Sequence, residues 1–114
     1  MKKPSCLLTL LLIIRIFMNE AQEFEWDADK AEANLRKHGI GFEAARRVFD
    51  DGFAVEVPDL ALPYGEARFV ITGMVEGRLL RVVFTERNDR IRIISARKAT
   101  KHEQREYYRS QTNE

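Results

Sequence analysis

The sequence contains a single cysteine, Cys6, so the chain cannot form an intramolecular disulfide. It has only two histidines, and the spacing of these three residues does not match a zinc site. A glycine-rich phosphate loop, a Gly-x-Ser-x-Gly elbow and a His-Glu-x-x-His pair are also missing. We therefore expect neither a bound metal ion nor a cofactor, which leaves any chemistry to ordinary side chains.

Net charge is also nearly absent, since the formal charge at pH 7 is +1. The charges are nevertheless unevenly distributed along the chain. Residues 24–59 contain nine acidic and five basic residues, whereas residues 78–98 contain seven basic and two acidic ones. A chain of 114 residues forms one domain with one modest core. We therefore predict a single domain with one acidic and one basic side.

Residues 1–22 form a hydrophobic leader that is too short to span a membrane. Its apolar run from Cys6 to Ile14 is interrupted by Arg15, and a spanning helix needs ~20 apolar residues. A basic start before a short apolar run is typical of an export signal, but the cleavage site is poor. The alternative is an over-extended start with translation beginning at Met18, which we favour. The domain then comprises residues 23–114, is cytoplasmic and contacts no membrane, whereas a genuine signal would make it an exported protein.

A first helix is predicted between Asp27, a favourable N-cap, and Gly39, a favourable C-cap. His38 lies in its last turn, where the helix dipole favours a protonated imidazole. Two roles stay open for His38: a structural residue at the helix–loop corner, or proton transfer. The predicted buried face consists of Ala28, Ala31, Leu35 and His38, and the adjoining polar face of Lys30, Asn34 and Lys37.

Residues 42–49 have the spacing of a second short helix, with Phe42, Ala45, Val48 and Phe49 buried. The run Asp50-Asp51-Gly52 ends this helix. An acidic pair beside glycine is more often part of a turn than of a metal site, so we interpret it as a turn.

A last helix is predicted after a capping box, in which Thr100 and Glu103 satisfy each other's backbone N–H groups. This helix contains Tyr107 and Tyr108. They either pack on the sheet or stack on the bases of single-stranded RNA.

The stretch from Arg78 to Thr100 predicts a hairpin, because two β-rich runs flank the turn-forming pair Asn88-Asp89. With that turn, Arg87 faces Arg90, Thr85 faces Arg92 and Val83 faces Ile94. Alternation then divides the hairpin into two faces. The core face carries Leu80, Val82, Phe84, Ile91 and Ile93, and the open face carries Arg81, Thr85, Arg87, Arg90 and Arg92.

Two further strands are predicted at Phe53–Val57 and Arg68–Val75, the second joined to the hairpin by a tight turn at Glu76-Gly77. Phe24-Glu25-Trp26 has the alternation of a short edge strand. The predicted fold class is α+β, with two N-terminal helices, an antiparallel sheet of about four strands and a C-terminal helix. Like charges opposite each other destabilise a sheet, so the row of arginines suggests a polyanionic partner.

Two separated stretches carry a pattern found in a known family. They are Phe24-Glu-Trp-Asp27 with Lys30, Asn34, Lys37-His38-Gly39 and Phe42, and then Arg87 to Thr100 with Ile-Ile-Ser-Ala-Arg-Lys-Ala. In these residues the chain resembles the BrnT toxins of bacterial toxin–antitoxin pairs, and the resemblance covers residues 24–108. It implies a RelE-like ribonuclease fold, RNA cleavage that halts translation, and neutralisation by a small DNA-binding antitoxin of the BrnA type. Toxin and antitoxin would form a hetero-oligomer that binds promoter DNA only through the antitoxin.

Metal-independent cleavage gives a hypothesis for the site within this resemblance. Arg68 and Arg97, which match motif positions of the family, would clamp the phosphate, because guanidinium groups bind phosphate bidentately and preorganised cations stabilise developing charge. Lys98 would add charge, while His38 or Glu66 would supply acid–base function. Flanking phosphates would be bound by Lys37, Arg87 and Arg92.

A second hypothesis makes the chain a non-catalytic RNA- or partner-binding module that uses the same basic sheet face. Binding would then depend strongly on salt, because counterions are released, but the RNA would emerge intact.

Overall fold

The computed structural model describes residues 22–59 and 65–112. Apart from Gln22, the leader predicted at residues 1–22 lies outside the described residues, as does the start proposed at Met18. No described helix is long and apolar enough to cross a membrane. In chain order the elements are β1 (Glu23–Glu25), α1 (Ala28–His38), α2 (Phe42–Arg46), a 3-10 helix (Arg47–Asp50), β2 (Val55–Pro58), β3 (Phe69–Val75), β4 (Arg78–Arg87), β5 (Arg90–Lys98) and α3 (Lys101–Thr112).

The strands form one five-stranded mixed sheet in the order β1-β5-β4-β3-β2. The predicted α+β class and the C-terminal helix are confirmed, but the predicted count of about four antiparallel strands is wrong. The added strand is β1, which pairs in parallel with β5 and places Phe24 opposite Ile91. Because these partners are far apart in the chain, no local turn signals their pairing. The second predicted helix also differs, since it is α-helical only to Arg46 and continues as the 3-10 helix.

Both tight turns are confirmed by backbone angles. Asn88 and Asp89 have φ of 55° and 64°, and Glu76 and Gly77 have φ of 50° and 81°. Positive φ at both central residues matches the twist of a two-residue hairpin loop. The pairs Arg87–Arg90 and Thr85–Arg92 have the predicted register.

A β-bulge changes the register farther along the same hairpin. Val83 pairs with Ser95, and the predicted pairing of Val83 with Ile94 is therefore wrong. The shift lies between Val83 and Phe84. A bulge inserts one unpaired residue into a strand, and alternation alone does not reveal where it falls.

The main core lies between the sheet and the layer formed by α1, α2 and the 3-10 helix. The ring centroid of Phe49 lies 4.9 Å from that of Phe84 and 5.2 Å from that of Phe24. At Gly73 the helical layer approaches so closely that an added Cβ would lie 2.8 Å from Cγ1 of Val48. The predicted core-face residues Leu80, Val82, Phe84, Ile91 and Ile93 are all buried, as are the predicted Phe42, Ala45, Val48 and Phe49 of the second helix.

Helix α1 packs differently from its predicted pattern. Gly39 ends the helix in the left-handed conformation as predicted, and Asp27 occupies the N-cap without a side-chain hydrogen bond. Leu35, predicted to be buried, is 52% exposed, whereas Asn34, predicted to be on a polar face, is buried. Burial of Asn34 is possible because its amide makes three hydrogen bonds to the backbone of Ile40 and Ala96. These bonds join the last turn of α1 to the second half of β5.

Helix α3 lies on the opposite face of the sheet. Its capping box is confirmed: the N–H of Thr100 donates to Glu103 Oε1 at 2.8 Å, and the N–H of Glu103 donates to Thr100 Oγ1 at 3.2 Å. The buried ring of Tyr107 packs with Leu79 and Ala99, which confirms a packing role for this tyrosine. Tyr108, by contrast, is half exposed.

Asp51 connects α3 to the turn that follows the 3-10 helix. Its Oδ2 accepts hydrogen bonds from the hydroxyl of Tyr107 at 2.6 Å and from the N–H of Met74 at 2.8 Å. Its Oδ1 accepts one from the N–H of Phe53 at 2.9 Å, which agrees with the interpretation of the acidic pair as a turn. Burial, together with the bond to Asp51, raises the pKa of the Tyr107 hydroxyl above its ordinary value.

Candidate active site

The arginine face is the sheet face that supports α3 and carries Arg81, Arg87, Arg90, Arg92 and Arg97. Strand pairing assigns these residues to one face, because Arg81 lies opposite Arg97, Thr85 opposite Arg92 and Arg87 opposite Arg90. The predicted placement of Arg81, Arg87, Arg90 and Arg92 on one face of the hairpin is therefore confirmed, and the bulge adds Arg97 to it. This face is not fully open, because it supports α3 and Thr85, predicted on the open face, is buried.

Carboxylates pair with the arginines at the turn end of this face. Arg90 Nε lies 2.9 Å from an oxygen of Glu23, and Arg92 Nη1 lies 3.1 Å from one of Glu25. Both acids come from β1, the short edge strand expected at Phe24-Glu25-Trp26 but not counted in the predicted four-stranded sheet. The pairing relieves the repulsion between arginines on neighbouring strands, so that repulsion by itself no longer calls for a polyanionic partner.

The most enclosed charge cluster lies beneath the start of α3, where Arg81 and Arg97 share Glu103. Both Nη atoms of Arg97 donate to the two Glu103 oxygens at 2.9 Å, and Arg81 Nε lies 3.2 Å from Oε2. The Glu103 side chain is only 17% exposed. Its hydrogen bond from Arg97, reinforced by the capping bond from Thr100 and by Arg81, lowers the pKa of Glu103 to about 2. The same bond raises the pKa of Arg97. Two guanidinium groups thus face one carboxylate, which leaves one positive charge.

A cavity of about 320 Å³ adjoins this cluster, between α3 and the exposed side of β2. His102 stands at its rim, with Nε2 3.9 Å from Oε2 of Glu106. A histidine and a partly buried carboxylate therefore border the same space as a guanidinium. The lining residues are Val55, Val57, Thr72, Arg81, His102, Glu103, Glu106 and Tyr107.

A larger depression, of about 780 Å³, lies at the other end of the sheet beside Asn88. Its charged lining comprises Glu23, Glu86 and Asp89 against Arg90 alone. An excess of carboxylates repels phosphate, so this depression is less suited to RNA than the cavity beside α3.

The two residues predicted to clamp one phosphate lie in different parts of the arginine face. Arg68 directly precedes β3, whereas Arg97 aligns across β4 with Thr72. The two positions, 68 and 72, are four residue steps apart, which corresponds to about 13 Å along the strand. Lys98 follows Arg97 but pairs with the core-face residue Leu80, so alternation directs its side chain away from Arg97. At the end of β5 it lines a separate groove beside α3.

The predicted acid–base candidates are also apart from Arg97. Glu66 accepts two hydrogen bonds from Arg87, at 2.9 and 3.0 Å, near the turn end of the hairpin. His38 and Lys37 lie in the last turn of α1, on the other side of the sheet, where His38 is half-buried and Lys37 exposed. The structure therefore brings Glu66 to Arg87 but does not gather the predicted residues into one site. Their roles in cleavage stay predictions.

Sequence reasoning missed two residues that border the cavity. Arg81 was placed on the correct face but given no role, and His102 was left aside. The signal for His102 was its place inside the capping box between Thr100 and Glu103. Nothing local signalled that Glu103 also reaches Arg81. Among residues 22–59 and 65–112, no three His, Cys, Asp or Glu side chains are grouped closely enough to hold a metal ion.

Comparison with known proteins identifies the family. No curated protein sequence matches the chain at a significant level. The family model described as the ribonuclease toxin BrnT of type II toxin–antitoxin systems matches residues 26–103, which is more than half of the chain. This range includes every predicted site residue and the whole Arg81–Arg97–Glu103 cluster. The chain therefore belongs to the BrnT family of ribonuclease toxins of type II toxin–antitoxin systems.

Proposed function

We propose that this toxin cleaves RNA without a metal ion and that Arg81 and Arg97 bind the phosphate at the scissile bond. Membership of the family makes RNA the substrate and an antitoxin the partner. The single observation that carries the proposed site is the pairing of two guanidinium groups around one partly buried carboxylate. A phosphate has the same charge sign and the same bidentate geometry as that carboxylate.

In this mechanism the ribose 2′-oxygen attacks the neighbouring phosphorus as its proton leaves. The bond from phosphorus to the 5′-oxygen breaks as that oxygen receives a proton. Negative charge grows on the phosphorus oxygens meanwhile, and two cations already in place stabilise it without reorganisation. Arg81 and Arg97 perform this task from adjacent strands.

Acid–base function falls to Glu103 and His102. While Glu103 is paired with Arg97, its pKa of about 2 makes it a weak base. A phosphate that replaces the carboxylate at the two arginines removes those partners, so the pKa of Glu103 rises and its basicity increases. His102 lines the same cavity and carries an imidazole, the side chain that most often serves as a general acid or base. His38 and Glu66, the candidates from the sequence, are the competing assignment for acid–base function.

A second candidate function, the non-catalytic binding module, is favoured by one observation. Glu103 occupies both Nη atoms of Arg97. If that bond persists when RNA is bound, Arg97 contributes its charge to RNA binding but not to phosphate clamping. RNA would then bind in a salt-dependent manner and remain intact.

The remaining proposals concern the biology of the pair. We propose that the antitoxin is a small DNA-binding protein of the BrnA type. It would bind the toxin in a hetero-oligomer and carry it to promoter DNA. The toxin would act in the cytoplasm, where its RNA substrate and the translation machinery are located, and translation would begin at Met18. Growth arrest on expression of residues 18–114, relieved by the product of the adjacent gene, would support these proposals, and growth without arrest would contradict them.

The site is tested by RNA cleavage in the presence of EDTA. Arg97→Ala and Arg81→Ala should each lose ~10²-fold or more in rate, as expected when a preorganised charge at the reacting group is removed. Arg36→Ala, which breaks only an exposed ion pair with Glu32, is the matched control and should cleave like wild type. Thermal melting confirms that each variant is folded. Full activity of both site variants would reject the phosphate site, and loss of wild-type cleavage in EDTA would reject metal independence.

The acid–base assignment is tested with the same assay. His102→Ala should reduce the cleavage rate more than His38→Ala does, because His102 borders the cavity beside Arg81. The opposite order would restore His38 as the candidate.

A further inference from the structure

Several cations beside α3 make no ion pair with the described residues, and Lys98 is the one of them that was predicted as a site residue. The arginines of the open face have carboxylate partners, whereas Lys98, Lys101 and Arg105 have none within ion-pair distance among the described residues. Arg78 likewise makes no ion pair, although its charge contributes to the lowered pKa of Glu76, which is bonded to Arg47. All four are exposed. Lys101 and Arg105 lie in the first half of α3, and Arg78 and Lys98 lie beside it.

A groove of about 230 Å³ lies among them, on the side of α3 opposite to the Arg81 cavity. Among the residues that the structure describes, no carboxylate lines this groove, in contrast to the cavity, which is lined by Glu103 and Glu106. Its chemistry combines two cations, one amide, one aromatic ring and an apolar floor. The lining residues that matter are Arg78, Lys98, Gln104, Tyr108, Met74 and Leu79.

The groove is built on held side chains. Gln104 Nε2 donates to the carbonyl oxygen of Ala99 at 3.1 Å, which fixes one wall. Tyr108 lies one helical turn farther on the same face of α3. Its ring meets that of Tyr107 edge-on, with centroids 5.2 Å apart, and Tyr107 is anchored to Asp51. Tyr108 is therefore supported from one side and 50% exposed on the rest.

We propose that this groove binds one nucleotide of single-stranded RNA next to the cleaved bond, with the base stacked on Tyr108 and the phosphate held by Lys98 and Arg78. Aromatic rings beside cations are the features with which proteins bind single strands. The proposal rests on the proposed RNA-cleaving function. Position supports it, because the groove and the cavity border the same part of α3. Gln104 and Tyr108 lie beyond the residues that the family model matches.

Binding of a fluorescein-labelled single-stranded RNA decamer, followed by fluorescence anisotropy, tests the groove without relying on cleavage. Tyr108→Ala should weaken binding by about 5- to 150-fold, the range for one lost base stack. Tyr108→Phe should bind like wild type, because the ring remains. Phe53→Ala removes another exposed aromatic ring, at a turn outside the groove, and should also bind like wild type. Lys98→Ala should reduce the slope of log K against log salt by about one.

Two results would overturn the groove. One is wild-type RNA affinity in Tyr108→Ala. The other is equal affinity of the wild-type protein for the decamer and for a decamer of abasic sites, which would mean that binding depends on phosphate charge and not on base stacking. If Tyr108→Ala loses stability on melting, Lys98→Ala and the abasic decamer decide the outcome. Failure of the proposed function is distinguishable: full cleavage by Arg97→Ala rejects the phosphate site while the Tyr108 binding result still stands.

Discussion

Replacing Glu103 by glutamine should destabilise the fold in a pH-dependent manner. Glutamine keeps the length of the side chain and can still accept the capping bond from Thr100. It removes the negative charge that Arg81 and Arg97 share. The variant therefore isolates the charge cluster from the helix cap.

The magnitude follows from the pKa of Glu103. The fall from 4.5 to about 2 sets an upper limit of about 3 kcal/mol on the charge contribution. Arg81 and Arg97 are 29% and 39% exposed, so solvent screens the pair. We therefore expect a loss of about 1–2 kcal/mol at pH 7.

The pH dependence has a definite sign. Because folding lowers the pKa of Glu103, its stabilisation is fully present above pH 4.5 and is lost as the pH falls towards 2. Urea unfolding of wild type and Glu103→Gln at pH 7 and pH 3 measures the difference in free energy of unfolding. More than half of the pH 7 difference should vanish by pH 3. Glu32→Gln, in an exposed pair with Arg36, is the control and should cost less than about 0.5 kcal/mol. An equal difference between wild type and Glu103→Gln at the two pH values would refute the reasoning.

Two further predictions concern packing, and both are measured by urea unfolding. Asn34→Ala should cost about 2–4 kcal/mol in free energy of unfolding, because buried backbone groups of Ile40 and Ala96 lose their hydrogen-bond partner. Leu35→Ala, on the exposed side of α1, is the control and should change the stability little. Equal losses in the two variants would contradict a stabilising role for the Asn34 hydrogen bonds. Gly73→Ala should cost about 1–3 kcal/mol, because its Cβ would collide with Val48. Gly41→Ala, where an added Cβ meets nothing within 4 Å, is the control. Unchanged stability of Gly73→Ala would contradict the prediction and show that the helical layer can move away from the sheet at little cost.

Local signals in the sequence predicted the local structure. Asn88, Asp89 and Gly77 adopt the positive φ that their residue types favour, and the capping box starts α3 where expected. Alternation assigned the buried and arginine faces of the hairpin between its turn and the bulge, where a side chain's face follows from counting along the strand. Beyond the bulge in β5 the count changes, and this places Arg97 on the arginine face.

Contacts between distant segments were not predictable in this way. The parallel pairing of β1 with β5 and the burial of Asn34 depend on partners more than 60 residues away. The same is true of the arginines at the turn end, whose acids come from β1. Counting charges by region indicated a basic side, but the number of arginines did not reveal that Glu103 neutralises part of it. As a result, the sequence predicted which arginines share a face, but it did not predict which cations have carboxylate partners.

The most direct test of the central claim, that Arg81 and Arg97 hold one scissile phosphate, is a double-mutant cycle on single-turnover RNA cleavage. Rates are compared for wild type, Arg81→Ala, Arg97→Ala and the double variant, each checked for folding by thermal melting. Residues that act on the same phosphate behave as a unit, so the loss in the double variant should be clearly smaller than the product of the two single losses. Wild-type cleavage rates in both single variants, or single losses that multiply fully in the double variant, would contradict a shared phosphate.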